Sequence, residues 1–133
     1  MLGTKKSLEK PVASKAADAP AIPTLVDVSP RYAAIVAKCG TKLACLEPYA
    51  PNKTVVRGGT YYAFQPDNGD TVHEYAAELA VRYFNEQREI LTTTKLKRAA
   101  FKCGTPENAR AWKALVDEFF GGRDLVPVCA SAR

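Results

Sequence analysis

The chain reads as an α+β domain: about four helices packed on a small, mostly antiparallel sheet, with an extended N-terminal arm. Three observations lead there. Several stretches repeat apolar residues at helical spacing. One run, "KTVVRGGTYYAFQP", has the β-rich–glycine–β-rich form of a hairpin. The opening "MLGTKKSLEKPVASKAADAPAIP" is Lys, Ala, Ser and Pro with little to bury.

Setting residues 1–23 aside as an extended or disordered arm leaves roughly 110 residues. That suffices for one domain, expected over 24–128, burying about 65% of the surface its unfolded chain exposes. Residues 129–133 read as a short tail.

Taken in order, "TLVDV" (24–28) alternates like a short strand. Ser29 and Pro30 then signal a helix start, and Tyr32, Ile35, Val36 and Cys39 fall at helical spacing before Gly40 stops it. "LEPYAPN" reads as loop. Gly58 and Gly59 supply the hairpin turn, and "PDNGD" closes its second strand. Thr71 with Glu74 forms a capping box for a long helix running to about Leu91, where successive threonines weaken it. "KLKRAAFKCG" reads as a short helix ending at Gly104. Thr105 and Pro106 start another, with Trp112, Leu115, Val116 and Phe119 on one face and Gly121 and Gly122 at its end. "LVPV" reads as an edge strand, since proline is barred from a central one.

The long helix is apolar on two sides. Val72, Tyr75, Ala76, Leu79, Tyr83 and Ile90 form a core face, and Glu74, Glu78, Arg82, Asn85 and Glu89 a polar strip in which Glu78 stands four before Arg82. Ala77, Val81 and Phe84 lie roughly opposite the core. That second patch is either sandwiched within the domain, presented to another protein, or the wall of a ligand groove. A chain this short has few elements to cover both sides of a five-turn helix, which favours a protein partner.

Motifs that carry chemistry are missing. "HEYAA" at His73 begins like H-E-x-x-H, but Ala77 stands where the second histidine is needed. No catalytic residue, metal ligand or cofactor motif is identified, so the expectation is a non-enzyme without a cofactor. The basic run Lys95, Lys97, Arg98 and Lys102 leads into "LKRAAFKCGTPENARAWKALV", which resembles a helix-turn-helix. Against that, Arg110 occupies a position that should be buried, and Glu107 would face phosphates. A net charge of +5 favours an acidic partner without choosing nucleic acid, membrane surface or protein.

The cysteines Cys39, Cys45, Cys103 and Cys129 form no C-x-x-C pair, and their spacing does not suit a zinc site. Reduced, mostly buried thiols are expected. A chain reversal at Gly40 would let Cys39 and Cys45 bridge, implying an oxidising setting such as a mitochondrial intermembrane space or a virion. The N-terminus lacks a secretory apolar core. It carries Glu9 and Asp18 and no arginine, unlike a cleaved mitochondrial presequence, though an uncleaved internal import signal is compatible with it. The localisation expected is intracellular, with the mitochondrion as one candidate.

The function this reading favours is a non-catalytic accessory subunit of a larger protein assembly (respiratory, ribosomal or viral), docking through Ala77, Val81 and Phe84 and through its arm. The first rival is a nucleic-acid-binding module using residues 95–102. The second is a small enzyme whose site converges from distant segments. No apolar run reaches the roughly 18 residues of a membrane span.

Overall fold

The computed structural model describes residues 25–56, 59–65 and 72–130. Within them the protein is helical, with no strands and no sheet, which corrects the α+β expectation. Four α-helices follow in order: α1 (Val28–Cys39), α2 (Leu43–Leu46), α3 (Val72–Thr93) and α4 (Pro106–Phe119). Three short 3₁₀ turns, at Glu47–Tyr49, Tyr62–Phe64 and Phe101–Cys103, link them.

The expected first strand fails at Val28. This side chain is fully buried and completes a stripe with Tyr32, Ile35 and Cys39, spaced i, i+4, i+7 and i+11 along α1. A buried place in the helical stripe outweighs the local β preference of a branched residue. Leu25 takes a positive φ of 61° ahead of the helix, and its amide donates to Glu118 Oε2 on α4. "LEPYAPN" is not plain loop either. Leu46 and Tyr49 turn inward from α2 and the following 3₁₀ turn.

The hairpin reduces to one antiparallel bridge, Val55 to Tyr61, closed by Gly59 at φ +88°. Beyond it Tyr62–Phe64 coil rather than extend, and Phe64 stacks on Tyr32 (5.8 Å) with Tyr75 tilted against both (5.5 Å each). A lone two-stranded ribbon is marginal in water, whereas the coiled turn places a whole aromatic ring in the core. Gly58, residues 66–70 and the Thr71 cap lie outside the described residues.

The short helix expected over 95–104 is likewise absent, apart from the 3₁₀ turn Phe101–Cys103. Its backbone groups bond elsewhere: the Ala99 carbonyl accepts from Arg82, and the Phe101 amide donates to Glu86. Without that first helix there is no helix-turn-helix, and Arg110 is exposed on α4. Helix α4 starts as its sequence requires, with Thr105 Oγ1 accepting the Asn108 amide and Pro106 in the first turn. Phe120 and Gly122 then donate to the Val116 carbonyl and end it. "LVPV" forms no strand and bends at Val126. Side chains satisfy its backbone instead, with Gln87 Oε1 accepting from the Leu125 amide and Asp124 Oδ1 from the Val126 amide.

All four cysteines are bonded, Cys39 to Cys45 and Cys103 to Cys129. Reduced thiols are therefore not what this fold contains. The first bridge closes the reversal after α1, where the Gly40 amide reaches back to the Val36 carbonyl. The second ties the segment after α4 back to the 3₁₀ turn before it. Cys129, the first residue of the C-terminal tail, is thereby bonded to Cys103.

Candidate docking surface

Helix α3 buries Tyr75, Ala76, Leu79 and Tyr83 as its periodicity requires, but also Arg82, Glu86 and Gln87. The polar strip read from sequence is therefore split. Arg82 does not pair with Glu78, whose carbonyl and carboxylate both accept from Asn52 instead. Arg82 turns inward: Nε donates to Glu86 Oε2 at 2.6 Å, and its terminal nitrogens donate to the carbonyls of Pro51 (2.7 Å) and Ala99 (3.2 Å). Burial pulls the Arg82 pKa down while the Glu86 carboxylate opposes the shift, and the guanidinium stays charged. Its Cζ lies over the Phe101 ring, 5.4 Å from the ring centroid.

One turn further on, Gln87 meets a second polar hub. Asp124 accepts from Gln87 Nε2 (2.9 Å), Trp112 Nε1 (2.8 Å), Lys102 Nζ (2.9 Å) and the Val126 amide (3.0 Å). Burial pushes its carboxyl up, but these donors outweigh it and hold the pKa below the ordinary carboxylate value. Lys102 also donates to the Val126 carbonyl. Of the four basic residues proposed from sequence to meet nucleic acid, Lys102 is therefore spent on holding the C-terminal segment. Lys95, Lys97 and Arg98 are exposed. Lys97 and Arg98 join Arg88 on the walls of a hollow of about 390 Å³ that also includes Glu89.

On the other side of α3, Ala77, Val81 and Phe84 face solvent, with Val81 48% and Phe84 60% exposed. Within the described residues nothing sandwiches them. The patch is longer than the three residues picked out from sequence, because Leu91, 72% exposed, stands seven beyond Phe84. Ala77, Val81, Phe84, Arg88 and Leu91 are spaced 4-3-4-3, the seam of a helix that meets another helix. That spacing was readable in the sequence, and Arg88 interrupting the apolar run hid it.

A second wall faces this seam. Phe120 stacks on Tyr83 at 4.1 Å and meets Phe84 edge-on at 5.5 Å, so the aromatic floor continues from α3 onto the segment after α4. Between the walls lies a groove of about 650 Å³, lined by Phe84, Arg88 and Leu91 on α3 and by Phe120, Arg123 and Leu125 opposite. A smaller hollow of about 270 Å³, walled by Ala77, Ala80 and Phe119, also borders Phe120 and carries the apolar strip toward the start of α3. His73 is exposed at that end.

Among the described residues no three His, Cys, Asp or Glu side chains gather as a metal site, and no helix is long and apolar enough to cross a membrane. Comparison with family models, curated proteins and solved structures found no match to this chain.

Proposed function

We propose that the protein is a non-catalytic docking subunit of a larger assembly, binding a protein partner along the outward side of α3. One observation carries this reading. An apolar strip from Ala77 to Leu91 stays exposed and is extended by Phe119, Phe120 and Leu125 on the facing wall. Exposed apolar residues grouped in this way are characteristic of interaction sites, and they sit on a framework of helices and two disulfides. The bonded cysteines favour an oxidising compartment, of which the intermembrane space and the virion are the candidates already raised.

The test is recovery of partners by tagged protein from its native source, comparing the wild type with V81S/F84S. Loss of partners with unchanged circular dichroism is the expected result. Unchanged recovery, or unfolding of the variant, would remove the proposal.

A second reading has a specific observation in its favour. Arg88, Lys97 and Arg98 converge on one hollow and would suit a phosphate backbone. Retention on a polyanion that falls steeply with salt and weakens in K97A/R98A is its expected signature; retention unaffected by either would dispose of it.

A further inference from the structure

We propose that the occupant of the α3 groove is an acidic amphipathic helix of another protein. This rests on the docking reading above and adds the chemistry of the partner. The seam sets the shape of the occupant. From Ala77 to Leu91 the 4-3-4-3 spacing covers about 21 Å of helix axis, the length over which a partner helix of about four turns can lie alongside. Phe120 and Leu125 form the opposite bank, so the partner would lie in a trough.

Charge decides among the occupants that would fit this shape. Arg88 rises from the α3 wall and Arg123 from the facing wall, and neither forms an ion pair among the described residues. The one carboxylate in the groove, Asp124, is already neutralised by Lys102 at 2.9 Å. Arg88 donates only to the neutral Asn85 amide oxygen (3.3 Å). An apolar helix entering between two guanidiniums that lack a carboxylate partner among the described residues is therefore favoured when acidic residues flank its apolar stripe on both sides.

The chain's own arm has the wrong sign. Residues 1–23 contain Lys5, Lys6, Lys10 and Lys15 against Glu9 and Asp18. A second copy is also disfavoured, because each protomer would contribute Arg88 and Arg123 to one interface, in a chain already carrying +5.

Two synthetic peptides of about four helical turns test the idea, identical in their Leu residues at 4-3 spacing. One carries Glu and the other Lys at the flanking positions. Affinity is read by fluorescence anisotropy, and the contact surface by amide chemical-shift changes. The Glu peptide should bind about tenfold more tightly at low salt, the size expected for two exposed ion pairs gained against two like-charge contacts imposed. The shifts should centre on Phe84, Leu91 and Leu125, and R88E/R123E should reverse the preference. R123E alone should weaken the Glu peptide, since Arg123 lines the apolar groove and not the basic hollow.

Equal affinity for the two peptides, no saturable binding, or shifts centred on Lys97 and Arg98 would overturn the proposal. So would a wild-type dimer broken by F84S, or Glu-peptide binding that appears only after deletion of residues 1–23. If the Glu peptide fails while F84S still severs the native partner, the docking reading stands and only the acidic helix is lost.

Discussion

The two flanks of α3 invert the usual rule. Toward the protein's interior the helix buries a guanidinium, a carboxylate and an amide; toward solvent it shows a valine, a phenylalanine and a leucine. The buried set is almost fully satisfied. Arg82 has three acceptors, Gln87 uses both ends of its amide, and Glu86 Oε2 takes two donors, leaving only Oε1 without a partner. The exposed set has no such account among the described residues. Buried polar groups that are well bonded belong to the architecture, whereas exposed apolar groups in a row point outward, to something else. The variants below probe that division, beginning on the buried side.

The largest effect is expected from E86A. It leaves Arg82 buried without its counter-ion and should cost about 3–5 kcal/mol in urea unfolding, while R82M/E86L, which removes both charges, should recover most of that loss. A loss under about 1 kcal/mol for E86A would mean that the pair is hydrated and contributes little.

Next come the bridges. From loop length alone, C103S/C129S, which opens a separation of 26 residues, should lose about 3.5 kcal/mol. C39S/C45S, with a separation of 6, should lose about 2.4 kcal/mol. Thermal unfolding of both variants against wild type checks the order as well as the size.

Asp124 gives a pH signature. Its folded pKa lies below the ordinary carboxylate value, so in acid the unfolded chain takes up a proton that the folded chain refuses. Its contribution is complete above the ordinary pKa of about 3.9 and fades as the pH falls through the folded value. D124N should lose about 2 kcal/mol at neutral pH, through weakened bonds to Lys102 and Trp112, and should show a flatter acid limb than wild type. Parallel acid limbs would mean that Asp124 is not the group responsible.

The smallest effect belongs to the solvent side. V81S/F84S should lower the unfolding free energy by no more than about 1.5 kcal/mol, the loss of the edge contacts that Phe84 makes with Tyr83 and Phe120, because neither substituted side chain is in the core. A loss of several kcal/mol would make Phe84 a structural residue and dissolve the contrast.

The sequence revealed these regions unequally. Helices α1, α3 and α4 were legible because their apolar spacing repeats over several turns, and Thr105–Pro106 marked a start that the structure keeps. The strands were misread because branched and aromatic runs such as Val55–Val56 and Tyr61–Tyr62 look the same whether or not a further strand exists to pair with. In this chain Phe64, three residues past Tyr61, joins an aromatic cluster with Tyr32 on α1 and Tyr75 on α3 instead. Arg82 was placed on the surface because its acceptors, the carbonyls of Pro51 and Ala99, come from 31 and 17 residues away. Nothing local announces such convergence. The Cys103–Cys129 bridge has the same character, while the Cys39–Cys45 reversal could at least be considered from Gly40. The outward face of α3 was visible as an excess of apolar residues, but its full length depended on following the seam past Arg88 to Leu91.

Hydroxyl-radical footprinting of Phe84, in the isolated protein and in extract from its native source, measures most directly whether that face is made for a partner. The account predicts rapid oxidation of the ring in isolation and strong protection in the extract, with Tyr75 protected in both. Equal oxidation of Phe84 in the two settings, or a ring already shielded in the isolated chain, would contradict it.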